Sequence, residues 1–318
     1  MRAFLAGSIA LLVCGSSVSS IAATPPIGSR SRALSFETLS LERSGQNHLL
    51  LRAQINGKPA LLGVDTGAPM SLIAASRLQY FGVSPVRPSP EIPPQVQING
   101  RFNNVMTARS LQLGRLNLVD EPMVAIDLES TAQAARAMKE QAIDGIIGTD
   151  ILFPTNAILD CRAQRLILKM DPAVRGGVIG MDYRGFIRVP IHVSDGLSLY
   201  VDARFNGKRA KLRIDTGAFS TLLHQSFVRT MKIPLRKTMI VSAPVNLKQR
   251  GLQVATISRF FIGSVDMQSK EVGVTDLAGI IGDAVDTTTP DAGLLGAEIL
   301  RRHNAIIDFG TRTLYLKR

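Results

Sequence analysis

The feature that most constrains this chain is that it is written twice. Ile55-Asn56-Gly57-Lys58 returns as Phe205-Asn206-Gly207-Lys208, and Gly63-Val64-Asp65-Thr66-Gly67-Ala68 returns as Arg213-Ile214-Asp215-Thr216-Gly217-Ala218, both at an offset of 150 residues. Leu113-Gly114 matches Ile262-Gly263 at 149. At 148, Gly145-Ile146-Ile147-Gly148 matches Gly293-Leu294-Leu295-Gly296, and Ile158-Leu159-Asp160 matches Ile306-Ile307-Asp308. Five segments in one order, with so little drift in spacing, define a tandem duplication. Gly279-Ile280-Ile281-Gly282 also has the apolar-glycine pattern, but only Gly296 keeps the 12-residue spacing to the next aspartate that Gly148 keeps to Asp160. Two like halves pack most simply about a pseudo-two-fold axis, with equivalent residues meeting at the seam.

Each half reads mainly as strand. Leu49 to Ile55 alternates toward an Asn56-Gly57 pair and is followed by a second apolar run into Asp65, the signature of a tight hairpin, and residues 199–214 repeat it. Helical pattern is confined to short pieces: 132–141, in the first half only, and the segments after Gly148 and Gly296. The pattern predicts lobes over 47–170 and 188–318, a Gly- and Pro-rich linker over 171–187, and a loose arm over 24–46.

Residues 1–23 combine a basic start, an apolar run and a small-residue end, the pattern of a secretory leader, which predicts an exported protein, periplasmic or secreted. No stretch reaches the roughly 18 to 20 apolar residues of a membrane-spanning helix. Cys14 as a lipid-attachment site fits poorly, because Val13 stands where a small residue is usual. Without the leader Cys161 is the only cysteine, so no internal disulfide forms, and it reads as a small buried apolar residue. The net charge of +12 is scattered along the chain, aromatics are 5% and Trp is absent. Base-stacking platforms are thus poorly supplied, no nucleic-acid partner is expected, and a solvated basic surface is the reading.

The two Asp-Thr-Gly triplets carry the chemistry. Hydrolysing a peptide without metal or covalent intermediate takes a base to activate water and an acid to protonate the carbonyl oxygen and the leaving amine; two carboxyls sharing one proton supply both. Two ionised carboxylates roughly 3 Å apart repel by on the order of 5 kcal/mol at an effective dielectric near 20, so a close pair retains one proton. A duplication delivers such a pair if Asp65 and Asp215 meet on the axis. Thr66 and Thr216 can then hydrogen-bond across it, and Gly67 and Gly217 allow close backbone approach.

Asp65-Thr66-Gly67-Ala68 and Asp215-Thr216-Gly217-Ala218, each followed by an apolar-apolar-Gly segment, resemble the aspartic peptidase superfamily, and the resemblance covers both halves. With Ala after the Gly in each, the chain is more similar to retroviral-type peptidases than to pepsin, where Ser or Thr usually follows. The resemblance implies an all-β, two-lobed, acid-protease-like fold with a few short helices, each half standing for one retropepsin-like subunit in a pseudo-symmetric monomer. It implies a catalytic dyad of Asp65 and Asp215 acting on a polypeptide substrate without cofactor. It further implies that Ile146, Ile147, Gly148 and Leu294, Leu295, Gly296 cross behind the two Asp loops as braces. Flaps are expected over 95–105, with an Asn99-Gly100 turn, and 241–256; neither holds the Tyr of the pepsin flap. Ala68 and Ala218 withhold a hydroxyl from the outer carboxylate oxygens, and fewer donors mean a higher pKa, which predicts a mildly acidic optimum.

His48, His192, His224 and His303 are far apart, match no metal-ligand spacing and read as solvated or core residues, so no metal is expected. Asp160 and Asp308 read as turn or strand-end residues. Two other functions fit the composition: a peptide-binding module of the same fold without turnover, and a basic protein held on anionic surfaces.

Overall fold

The Asn-Gly pairs close the two hairpins that the sequence predicts. Leu49–Ile55 pairs antiparallel with Lys58–Val64, and Leu199–Phe205 with Lys208–Ile214. Asn56 (φ 51°), Gly57 (φ 76°), Asn206 (φ 51°) and Gly207 (φ 88°) are all left-handed, as a two-residue turn matched to strand twist requires. Leu49, Leu51, Ala53 and Ile55 point inward, while Arg52 and Gln54 face solvent. The computed structural model describes residues 36–89, 92–98, 101–169, 181–194, 196–242, 250–268, 271–281 and 289–318, and of 238–242, 250 and 251 the backbone alone. The expected leader, the start of the arm, most of the linker, the Asn99-Gly100 turn and Gly282 lie outside the described residues.

The fold is all-β and two-lobed, with five short α-helices among the described residues. In each lobe the second hairpin strand runs beside the brace strand, Gly145–Ile147 in the first and Asp291–Leu295 in the second, and both pairings are parallel. On its other side the brace pairs antiparallel with Leu72–Ala74 or Leu222–His224, the strands that follow the Asp-Thr-Gly loops. Two long hairpins continue the sheets. Gln95–Ile98 folds onto the start of Arg101–Leu113, and Leu235–Ser242 onto Arg250–Thr256.

A six-stranded sheet joins the lobes, ordered Phe36–Ser40, Arg165–Lys169, Ile158–Asp160, Ile306–Asp308, Thr313–Leu316, Ile187–Pro190. At its centre Ile158 faces Asp308, Leu159 faces Ile307 and Asp160 faces Ile306. That register maps onto itself when the halves exchange, so the pseudo-two-fold axis passes between Leu159 and Ile307. Its inner face joins the main core through Leu159, Leu166, Ile307 and Leu314.

The arm is not loose from residue 36 onward. Phe36–Ser40 pairs along its length with Arg165–Lys169, as Ile187–Pro190 pairs with Thr313–Leu316. Phe36, Leu39 and Leu41 recur as Phe186, Val189 and Ile191 at the same offset of 150, so the repeat begins earlier than 47 and 188. A single strand held by partners far along the chain has little local periodicity to reveal it. The first-lobe helix is Glu129–Ala137 rather than 132–141. The Asp127 carboxylate accepts the Glu129 N–H at its start, and Lys139 at φ 59° ends the run. Cys161 is a free, buried residue whose thiol burial pushes up to about 12, which leaves it a packing residue rather than a nucleophile.

Candidate active site

Both Asp loops are built the same way. The Asp65 N–H donates to the Ile147 carbonyl and the Asp215 N–H to the Leu295 carbonyl, each at 3.0 Å, so the expected braces lie directly behind the loops. The loops close on themselves through Ala68 N–H to Asp65 O and Ala218 N–H to Asp215 O, both 3.3 Å. Gly148 and Gly296 are sterically required: a Cβ would stand 2.7 Å from the Ala68 carbonyl oxygen in one lobe and 2.6 Å from the Thr221 nitrogen in the other.

The loops meet across the axis. Thr66 Oγ1 accepts the Thr216 N–H (3.1 Å) and donates to the Ile214 carbonyl (3.0 Å). Thr216 Oγ1 accepts the Thr66 N–H (3.0 Å) and donates to the Val64 carbonyl (2.8 Å). Both threonines are buried, so four cross-lobe hydrogen bonds sit where water cannot compete. Each motif glycine lies against the opposite carboxyl: a Cβ on Gly67 would stand 2.5 Å from Asp215 Cγ, and one on Gly217 2.5 Å from Asp65 Cγ.

The Asp65 and Asp215 carboxyls face each other across the axis, each seated against the other loop's motif glycine. Asp65 Oδ1 accepts two backbone N–H groups, from Gly67 (2.7 Å) and, across the axis, from Gly217 (3.1 Å). Asp215 Oδ1 accepts one, from Ala218 (2.9 Å). Burial, reinforced by the Asp65 charge, raises Asp215 to about 7, against the opposing influence of Arg213 and the Ala218 N–H. The close pair therefore retains one proton, and with two N–H donors against one, Asp65 is the better hydrogen-bonded carboxylate.

Several residues around this frame carry no motif. Asp150 accepts the Ser71 N–H (2.7 Å) and hydroxyl (2.8 Å), and Ser71 Oγ in turn accepts the Gly148 N–H (3.0 Å). Glu298 and Thr221 repeat the arrangement, with Thr221 N–H to Glu298 at 2.8 Å and Gly296 N–H to Thr221 Oγ1 at 3.0 Å. Their matched spacing within the duplication was the available signal. Arg213, two residues before Asp215, donates to the Gly67 carbonyl of the other lobe. His48 lies near Gly217 and Asp65 of the dyad loops, and burial lowers its pKa. The other three histidines are structural: His192 approaches Asp202 at 3.2 Å, His224 accepts the Leu277 N–H, and buried His303 meets the Lys317 carbonyl. Asp160 and Asp308 accept turn N–H groups, from Arg162 and Ala163 and from Thr311.

Two small apolar clusters stand apart from the main core on either side of the dyad. One holds Ala68, Leu72 and Ile146, with Met70 and Ile143 against it; the other holds Leu294, Leu277 and Ile281, with Ala218 and Leu222 against it. Exposed Phe102 and Phe219 add aromatic surface on the first long hairpin and beside the second Asp loop. A cavity of about 330 Å³ beside the first-lobe helix, lined by Arg77, Arg136 and Asp144 among others, contains no residue of either motif. Among the described residues no group of three or more His, Cys, Asp or Glu side chains could hold a metal ion.

Paired aspartates on symmetric loops at the seam of two β lobes define an acid-protease-like site. A family profile of aspartyl proteases matches the chain twice, over residues 51–151 and 201–299, and the chain belongs to the aspartyl protease family. A comparison with curated proteins finds no match.

Proposed function

We propose that the protein is an aspartic endopeptidase with Asp65 and Asp215 as its catalytic dyad. The observation that carries this reading is the meeting across the axis of two carboxyls that the chain supplies from positions 150 residues apart, each seated against the other loop's glycine. A water held between them loses a proton to the Asp65 carboxylate as its oxygen attacks the scissile carbonyl, and Asp215 gives its proton to the carbonyl oxygen. Collapse of the tetrahedral adduct breaks the C–N bond, the amine takes the proton from Asp65, and Asp215 recovers its own from the adduct hydroxyl. The threonine bonds and the braces fix the separation of the carboxyls, which positions them before substrate arrives.

The substrate is an extended polypeptide lying between the lobes, with the long hairpins serving as flaps that add strand pairing. The apolar clusters flanking the dyad favour apolar side chains on both sides of the scissile bond. Residues 1–23 read as a leader, so the proposal includes export, and the internal two-fold suits a monomer. No helix among the described residues is long and apolar enough to cross a membrane.

The test is hydrolysis of an unbiased peptide library across pH by the wild type, Asp65→Asn and Asp215→Asn. Each substitution is expected to lower turnover by at least ~10³-fold, within the range of general acid and base contributions, while the thermal transition persists. Because the shared proton leaves as pH passes through about 7, activity is expected to peak on the mildly acidic side and fall through neutrality. Peptide affinity that survives both substitutions, with no cleavage by the wild type at any pH, identifies a binding module instead.

A further inference from the structure

The two lobes differ most sharply two residues before each aspartate. The first lobe has Gly63, where the atoms nearest to an added Cβ are Ile143 and Ile146 side-chain atoms at 3.7 Å and the Gly145 carbonyl at 3.9 Å. The second has Arg213, only 8% exposed. Strand alternation puts its side chain on the same face as Asp215. Nη1 donates to the Ile280 carbonyl at 2.7 Å and Nη2 to the Gly67 carbonyl of the opposite motif. Nε is buried without a partner, and among the described residues no carboxylate forms an ion pair with the guanidinium. Burying such a charge is costly, and Gly63 indicates that the strand pairing itself does not need it. The charged and titratable groups facing Arg213 are Asp215, Asp291 and its cross-strand neighbour Tyr200. Lys211 faces Asp291 in turn.

From the other side His48 approaches Gly217 and Asp65, with Glu140 nearby. Each motif glycine thus has a basic side chain of the opposite lobe close by. Yet positions 48 and 213 are not repeat equivalents; their counterparts are Ser198 and Gly63.

We propose that Arg213 is a positioning residue of the dyad: it fixes the Gly67 loop across the lobe interface and supplies the counter-charge for the single negative charge that Asp65 and Asp215 share, with His48 as the weaker, titratable partner on the opposite side. This rests on the dyad reading above. It makes the dyad symmetric in backbone and asymmetric in field, so that one cation holds the pair in its singly ionised form over a wider acid range.

The experiment uses the full chain with Arg213→Met, Arg213→Gln, Arg213→Lys and, as a control, Asp291→Asn. Carbon-13 NMR titration of the aspartate carboxyls needs no turnover, and the pH dependence of kcat/KM is read on any peptide the wild type cleaves. The neutral variants are expected to move the dyad titration, and both limbs of the rate profile, upward by roughly 1 pH unit. Arg213→Lys should keep the titration near wild type. Because the ammonium lacks the planar fork that spans the Ile280 and Gly67 carbonyls, this variant should lose about tenfold in kcat with KM little changed. Asp291→Asn should leave the dyad titration in place. Neutral variants that titrate like wild type, an Asp291→Asn shift equal to theirs, or an Arg213→Lys enzyme with unchanged kcat each overturn the proposal. If both neutral variants fail to fold, the lysine variant decides alone. A dyad that moves with Arg213 in a protein that cleaves no peptide overturns the functional reading and leaves this one standing.

Discussion

The two lobes share a frame and differ in their fittings. Everything that sets the backbone around Asp65 and Asp215 is duplicated: the hairpin, the brace behind each loop, the glycine against each opposite carboxyl, and the hydroxyl and carboxylate pairs Ser71–Asp150 and Thr221–Glu298. What is not duplicated changes charge or access: Arg213 against Gly63, His48 against Ser198 and, among the described residues, the first-lobe helix. Geometry that must be symmetric is held by repetition, whereas the electrostatic field need not be. A dyad that divides one proton between two chemically identical groups works better when its surroundings assign that proton.

The comparison is broken most forcefully at the glycines. Gly67→Ala and Gly217→Ala each drive a methyl into the opposite carboxyl, so both are expected to destabilise by about 1–3 kcal/mol and to abolish turnover. Denaturant unfolding and peptide hydrolysis check this, and a large difference between the two variants shows the frame to be less symmetric than described.

At the threonines the expected effect is smaller and again equal. Thr66→Val strands the Ile214 carbonyl and the Thr216 N–H, and Thr216→Val strands the Val64 carbonyl and the Thr66 N–H. Each should lower stability by about 1–3 kcal/mol, with serine restoring most of it. Since the four bonds form one network, the double variant should fall short of the sum of the singles.

A further difference between the lobes is Glu121. Burial, and then the Asp150 charge, raises Glu121 to about 7 from an ordinary 4.5. By strand register Val124 corresponds to Gly273, which makes Lys270, outside the described residues, the counterpart of Glu121. A raised carboxyl pKa means that the folded state holds the proton more tightly. Its contribution is fully present below about pH 4.5 and is lost as pH rises through about 7, up to about 3 kcal/mol. Glu121→Gln is expected to flatten that slope in urea denaturation between pH 4 and 8. An unchanged slope removes Glu121 as its source.

Much of this is legible in the sequence. The Asn-Gly turns with their alternating strands define the hairpins, because a period of two and a turn needing positive φ are local properties. The spacing from Gly148 to Asp160 and from Gly296 to Asp308 separates the true brace from Gly279-Ile280-Ile281-Gly282, and Asp65 and Asp215 stand out because each occurs in the same apolar frame. The strand Phe36–Ser40 escaped that reading although Phe36 and Phe186 share the common offset; its partner strand lies more than a hundred residues away, and five residues offer too little periodicity of their own. His48 escaped it for a related reason, since a lone histidine in a loop has no pattern.

By itself, then, the sequence determined a duplicated β-protein, the two loops that matter and the strands that support them, because repetition and periodicity are written along the chain. Only the tertiary structure decided which carboxyl accepts two N–H groups and which accepts one, that a buried guanidinium from one lobe grips the loop of the other, and that His48 stands beside Asp65. Those facts depend on distances between residues far apart in the chain, and Coulomb forces and hydrogen bonds act through space, where spacing in sequence gives no measure.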